Sequence, residues 1–194
     1  PVNWRNAHRQ TLFSLGAGLQ AAESSGLEAG SINRRRAGIY LGCGEPFEDF
    51  RAFVRAVHEC RPPTDTQPDE FLTRGLKLFD PDVAREYEPD VPGLHLAELL
   101  DIQGPIANCV SACVSSTQAI GEAARMIRQN EVDVMLAGGA HSTIHPFGIT
   151  GFHRLAALST RNDDPLTAVR PFDADRDGFV VGEGGALVVL EELE

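Results

Sequence analysis

Cys109 and Cys113 fall in the stretch NCVSACVSSTQAIGEA, where an apolar run ends and a helix-forming run begins within a few residues. A cysteine at a strand-to-helix junction lies near the positive end of the helix dipole, which favours thiolate over thiol. Ser115, Ser116 and Thr117 are residue types that cap a helix start, and the small Ala112 leaves space for a substrate. These are the conditions for an activated nucleophile, with Cys113 as the candidate. The local argument leaves a second reading open, because a free cysteine in a buried segment is commonly inert packing. Metal ligation by the pair lacks support. No His/Cys pair at zinc-like spacing accompanies it, so no metal site is expected.

A second group of chemistry-bearing residues is FDADRDGFVVGEGG, residues 172–185. Asp173, Asp175 and Asp177 alternate and Gly178 follows, as in the opening of an EF-hand loop. Such a loop needs a bidentate carboxylate at its twelfth position. Counted from Asp173 that position is Gly184, and Glu183 falls one place short.

The elements that must position these residues follow from periodicity. Leu12, Leu15, Leu19 and Ala22 recur at helical spacing, with Gly26 as C-cap. AGIYLGCG (37–44) reads as a buried strand, and Phe47, Phe50, Val54 and Val57 mark a second helix. From 61 to 93 the chain is proline-rich and polar, a long excursion with one short helical piece around 94–100. GPIANCVSA (104–112) and VDVMLAGGA (132–140) read as buried strands, separated by a helix over 116–130 that turns Ile120, Ala123, Ala124 and Ile127 to one face. ALVVLEELE (186–194) reads as a third strand of this half. Apolar strands joined by a helix suggest parallel pairing with both faces covered, an α/β fold without an evident internal boundary.

The 194 residues carry a net charge of −11, which excludes nonspecific nucleic-acid binding as a function class. NRRRAG (33–38) is the one basic run and reads as a solvated turn before a strand. No apolar run approaches the ~20 residues of a membrane span. Four cysteines, Cys43, Cys60, Cys109 and Cys113, in a chain able to build a core read as reduced thiols of a cytoplasmic protein. The start at Pro1 suggests an excised or processed piece.

From about residue 104 onward the chain resembles the condensing enzymes of the β-ketoacyl-acyl carrier protein synthase family, the ketosynthases of the thiolase-like superfamily. The resemblance rests on SACVSS, GEAARMIR, VDVMLAGGA, GF at 151–152, ALSTRNDDP at 157–165 and RPFDADRDGFVVGEGGALVVLEELE, in that order. Residues 8–60 match more loosely. It implies one half of a five-layer αβαβα architecture, a buried mixed sheet covered by helices. It makes Cys113 the acyl-accepting nucleophile and puts Phe152 at the acyl pocket. It turns the acidic stretch into a turn leading to a strand, with its aspartates bonding local backbone and pairing with Arg170 or Arg176. It sets Gly182, Gly184 and Gly185 at close backbone approaches. His141 stands where the family usually has glutamate, and Gln118 where close relatives often have histidine. His141, His145 and His153 match no catalytic histidine of the family.

The implied activity is decarboxylative Claisen condensation of malonyl-carrier protein with a Cys-bound acyl chain in fatty acid biosynthesis. A polyketide ketosynthase is the alternative. A non-catalytic chain-length partner would lack the nucleophile, and a Cys hydrolase would carry glycines where Ser111 and Ser115 stand. The implied partners are acyl carrier protein, whose phosphopantetheine arm enters in place of any diffusible cofactor, and a second copy paired through the strand before Cys113. The family's two catalytic histidines follow this half, and the family's first strand precedes it. Residues 1–194 are therefore expected to be a partial N-terminal ketosynthase domain, inactive in condensation alone. A calorimetric titration with calcium is expected to show no tight 1:1 site. One that did would restore the EF-hand reading of 173–184.

Overall fold

The computed structural model describes residues 6–27, 32–44, 49–59 and 68–193. Phe47, Cys60 and the proline-rich residues 61–67 lie outside these. Four strands form one mixed sheet in the order β2-β1-β3-β4. They are β1 (Ala37–Cys43), β2 (Ile106–Asn108), β3 (Val134–Ser142) and β4 (Glu183–Glu191). β1 pairs in parallel with β2 and β3, and β3 pairs antiparallel with β4.

Helices cover both faces. Along β1, Ala37, Ile39, Leu41 and Cys43 point to one face and pack with Leu15 of α1 (Arg9–Ser25) and with Leu96 and Ala97 of α5 (Val91–Leu100). The opposite face, through Met135 and Ala137, meets Ala123, Met126 and Ile127 of α6 (Ser115–Arg128). Alternate residues of a buried strand serve two cores, which is why β1 and β3 read as continuous apolar runs. Among the described residues no helix is long and apolar enough to cross a membrane.

α6 can approach the sheet closely because Gly42 and Gly139, cross-strand partners, face its first turn. A Cβ on Gly42 would overlap the Ser115 carbonyl, and one on Gly139 would overlap Ser116 Oγ and the Gly42 carbonyl oxygen. On the other face Gly18 of α1 plays a similar part against the Leu96 and Leu136 side chains. That explains a departure from the apolar-stripe expectation. The buried face of α1 is Gln10, Thr11, Ser14, Leu15, Gly18 and Ala22, while Leu12 and Leu19 are exposed. Leu15 and Ala22 of the expected stripe are buried, and the close contact at Gly18 leaves Leu12 and Leu19 outside it. Gly26 is the expected C-cap, at φ 71.

Three further expectations change. The excursion after residue 61 holds α3 (Pro68–Gly75) and α4 (Pro81–Arg85). Asp80 caps α4 and Pro81 opens it, a start signal that does not depend on apolar periodicity. β2 is three residues long and not buried, with Ile106 38% exposed, because it forms the sheet edge and has a neighbour on one side only. β4 is antiparallel and half-buried, since α7 (Pro146–Arg154) and residues 155–182 return the chain to the end where β3 finishes, pairing Ser142 with Glu183.

At that end of the sheet two helices start from histidine caps. His8 Nδ1 accepts from the Gln10 N–H at 3.3 Å, and His145 Nδ1 accepts from the Phe147 N–H at 3.1 Å. A protonated ring cannot accept either bond. Burial is the main cause that pushes both imidazoles below their ordinary pKa, and for His8 the nearby His145, His141 and Arg9 add to it against an opposing Glu183. Glu183 ties this region together. It pairs with Arg9 at the start of α1 and accepts from Ser142 Oγ at 2.8 Å. Those two bonds, Arg9's first, hold its carboxyl below the usual range.

Two outcomes follow. Gly42→Ala should destabilise the protein by about 1–3 kcal/mol, an overpacking cost, whereas Gly121→Ala, with open space around it, should be neutral or stabilising. Equal midpoints in denaturant for the two variants would contradict the close approach. For His8 and His145 the folded pKa lies below the unfolded one, so the unfolded chain takes up protons first as pH falls below about 6.5. Stability is full above that pH and declines below it. Replacing both residues by asparagine, which caps without titrating, should flatten the decline between about pH 7 and 5. An unchanged slope in melting temperature against pH would remove the histidines as its cause.

Candidate active site

The segment that carries the cysteines is laced to β1. Gly104 N–H donates to Ala37 O, Ile39 N–H to Pro105 O, and Cys109 N–H to Leu41 O at 2.9 Å. Asn108 Oδ1 accepts from the Cys43 N–H at 3.0 Å. Past Cys109 the chain lifts from the sheet. Ala112 takes φ 52, in the left-handed region that a non-glycine residue seldom occupies. A 3-10 turn, Ala112–Val114, runs straight into α6.

Cys113 is exposed, in that turn, at the start of α6. This is the strand-turn-helix placement read from the sequence. The capping differs. The N-cap is Val114, which has no side-chain bond to offer, and Ser115 is already helical. Ser115 acts backwards along the chain instead. Its buried hydroxyl accepts from the Ser111 N–H at 2.7 Å and donates to the Ala112 carbonyl at 2.8 Å. Ser111 Oγ in turn donates to Gln118 Oε1 at 2.5 Å. Sequence reasoning singled out the serines as caps and missed this closure. The AC-x-SS spacing carried the signal, since a serine three residues after Ala112 can reach back across one turn.

The other cysteines differ in setting. Cys43 is fully buried on β1, its Sγ 3.8 Å from Ser14 Oγ, and burial pushes its thiol up. Cys109 is half-buried, its thiol donates to the Ser115 carbonyl at 3.3 Å, and burial pushes it up as well. A protonated thiol that is already a hydrogen-bond donor is a poor nucleophile.

The acidic stretch forms the expected turn, held locally. Asp173 Oδ1 accepts from the Asp175 N–H at 2.7 Å. Asp177 accepts from Ser159 Oγ at 2.8 Å and the Thr160 N–H at 3.1 Å, bonds that hold its carboxyl below the usual range. Gly178, at φ 143, lets the chain lie against Leu158 and Ser159, and Phe179 bonds Ala157 and Ser159 through its backbone. The aspartate–arginine pairing is corrected. Among the described residues no ion pair joins these carboxylates to Arg170 or Arg176, and Arg176 donates to the Asp173 carbonyl at 2.8 Å. The glycine expectation holds for Gly185, which lies against Ala140 and the Phe13 carbonyl, and fails for Gly182 and Gly184, which have open space. Among the described residues no cluster of three His, Cys, Asp or Glu could hold a metal.

Phe152 is half-buried on α7 and meets Phe179 edge-on, ring centroids 5.2 Å apart. His141 is the eighth residue of β3, with its ring over Gly44, and His145 is the cap of α7. His153 lies in the last turn of α7, exposed. None of the three takes a place in the Cys113 turn.

A family model described as the N-terminal domain of beta-ketoacyl synthase matches residues 1–194. The chain is 38% identical over 182 residues to 3-oxoacyl-[acyl-carrier-protein] synthase 2 of Coxiella burnetii, covering 94% of this chain and 41% of that protein. A beta-ketoacyl synthase from Burkholderia phymatum superposes with a TM-score of 0.76 at 33% identity, covering all of this chain and 45% of the other. A type II polyketide ketosynthase, solved with its acyl-carrier protein and bound to the hexaketide, superposes with a TM-score of 0.76 at 25% identity over 94% of this chain and 43% of that one. The chain thus spans less than half the length of the proteins it matches, and its mixed sheet between helical layers has the thiolase-like fold of those ketosynthases. It belongs to the beta-ketoacyl synthase family, whose N-terminal domain it matches over residues 1–194.

Proposed function

We propose that this chain supplies the nucleophile half of a 3-oxoacyl-acyl carrier protein synthase of fatty acid biosynthesis, with Cys113 as the acyl acceptor. One observation carries the assignment. Cys113 is exposed at a helix start, while Cys43 and Cys109 are covered and held as thiols. The Cys113 thiolate attacks the acyl thioester of a carrier protein, and the phosphopantetheine thiol leaves with the proton. Malonyl-carrier protein then loses carbon dioxide, and the electron pair of that bond becomes an enolate. The enolate carbon attacks the Cys113 thioester, and the collapsing intermediate returns the thiolate. The backbone N–H of Cys113 offers one donor to the oxyanion. The two histidines that assist decarboxylation follow this half in the family, so residues 1–194 alone do not condense.

Acyl carrier protein is the proposed partner, with no metal or diffusible cofactor. Phe152, beside Phe179, is the proposed wall of the acyl pocket. A homodimer joined through β2 is proposed because that edge strand exposes Ile106 and an unpaired ladder. The proposed setting is the cytoplasm. The polyketide reading is kept as the second one, since its likeness to a polyketide ketosynthase is of the same order in fold. A chain-length partner without catalysis is disfavoured by the presence of Cys113.

The test is mass spectrometry of the intact protein after incubation with acyl-carrier protein. One acyl group is expected on the peptide holding Cys113, and Cys113→Ala should lose both it and turnover, by on the order of 10³-fold or more. Full turnover by Cys113→Ala, or acylation of Cys109 instead, would overturn the assignment.

A further inference from the structure

The turn that presents Cys113 contains a conformational cost and a device that offsets it. Ala112, the residue before the thiol, stands at φ 52, where an alanine side chain is disfavoured. One hydroxyl bridges the start of the turn and its carbonyl, and the Ala112 carbonyl also accepts from the Ser115 backbone N–H. Ser115 Oγ accepts from the Ser111 N–H and donates to the Ala112 carbonyl. The Ser111 side chain is held from farther along the helix, where Gln118 Oε1 accepts its hydroxyl at 2.5 Å. Ser115 itself is only 4% exposed and cannot drift, because its backbone rests on Gly42.

We infer that Ser115 is a positioning residue for the Cys113 thiol, and that Gln118 secures the same turn through Ser111. The inference deepens the proposed function and rests on the reading of Cys113 as nucleophile. Without the hydroxyl the Ser111 N–H and Ala112 carbonyl lose their shared partner. Ala112 then relaxes toward the right-handed region, and the peptide leading into Cys113 rotates. The thiol then leaves its exposed place at the head of α6. The loss is expected to fall on the chemical step at the thiol.

The experiment uses the whole protein that carries this chain, with Ser115→Ala and Gln118→Ala. The alkylation rate of Cys113 by iodoacetamide is followed by peptide mass spectrometry between about pH 6 and 9, beside kcat and KM for the acyl carrier. In Ser115→Ala the Cys113 rate and kcat should both fall by on the order of 10- to 100-fold. KM should change little. Gln118→Ala should move the same quantities in the same direction by about two- to tenfold. A folded Ser115→Ala protein with unchanged Cys113 alkylation rate and kcat overturns the inference. If Ser115→Ala does not fold, the exposed Gln118 decides, and unchanged rates there overturn it too. Labelling reads the thiol without turnover. Failure of the nucleophile assignment, seen as turnover by Cys113→Ala, is thus distinguished from failure of the clasp.

Discussion

The seat of α6 on the paired glycines Gly42 and Gly139 is the constraint from which the rest of the site follows. A sheet of side-chain-bearing residues would hold a helix roughly 10 Å away. Two facing positions without Cβ let the first turn of α6 descend onto the strands. The contact fixes a peptide, Ser115–Ser116, rather than a side chain, so the helix start has little freedom to slide. The Ser115 carbonyl receives the Cys109 thiol, and the Ser115 hydroxyl holds the turn behind it. A chain that is hydrogen-bonded to β1 as far as Cys109 and seated on glycine at Ser115 has five residues, 110–114, in which to leave the sheet and reverse. That short span forces the tight turn at Ala112 and puts Cys113 outside it.

The same geometry explains what could be read from the sequence and what could not. β1, β3 and α6 were legible because each is buried through a period that leaves a pattern, a continuous apolar run for a strand covered twice and a stripe of four residues for the helix. The strand-to-helix junction at Cys113 was legible because AC-x-SS is a dense local motif. Edges were not legible. The apolar run 104–112 holds a three-residue strand, since Ile106 and Val110 are apolar residues with no second layer over them in this chain. The direction of β4 was hidden because apolarity carries no sense of direction; what sets it is the return path through residues 155–182. Leu12 and Leu19 misled for a related reason. Hydropathy marks leucine as inside, but close packing against Leu96 and Leu136 selects glycine and serine.

Two stretches recognised separately in the sequence, ALSTRNDDP and RPFDADRDGFV, prove to be one unit. Asp177 bonds Ser159 and Thr160, Gly178 permits contact with Leu158, and Phe179 exchanges backbone bonds with Ala157 and Ser159. The alternating aspartates are therefore explained by a turn whose N–H groups need acceptors, and cation chemistry is not required. This unit returns the chain to Glu183, and Glu183 joins the first residue of α1 to the last of β3. Much of the large apolar exposure, Leu155, Leu166, Val169, Phe172 and Val180, lies in the same stretch, whereas β3 is covered on both faces.

Cys109 and Cys113 differ by one turn of chain and by everything that decides reactivity. Their spacing alone does not separate them, and each sits near the same helix start. The separation comes from which side of the Ala112 turn each occupies. Cys109 is on the sheet side, within the ladder to β1, where it is half-buried and its proton has an acceptor in the Ser115 carbonyl. Burial penalises its charged form, and this is the main reason its thiol is pushed up. Cys113 is on the far side, exposed, with the axis of α6 directed away from it. Its side chain opens to solvent at the start of a 14-residue helix rather than onto an apolar wall. Reversing the two roles would need the turn to open, because no rotation of either side chain can exchange the sheet side for the outside. The left-handed alanine is thus the element that keeps one cysteine against the sheet and the other outside it.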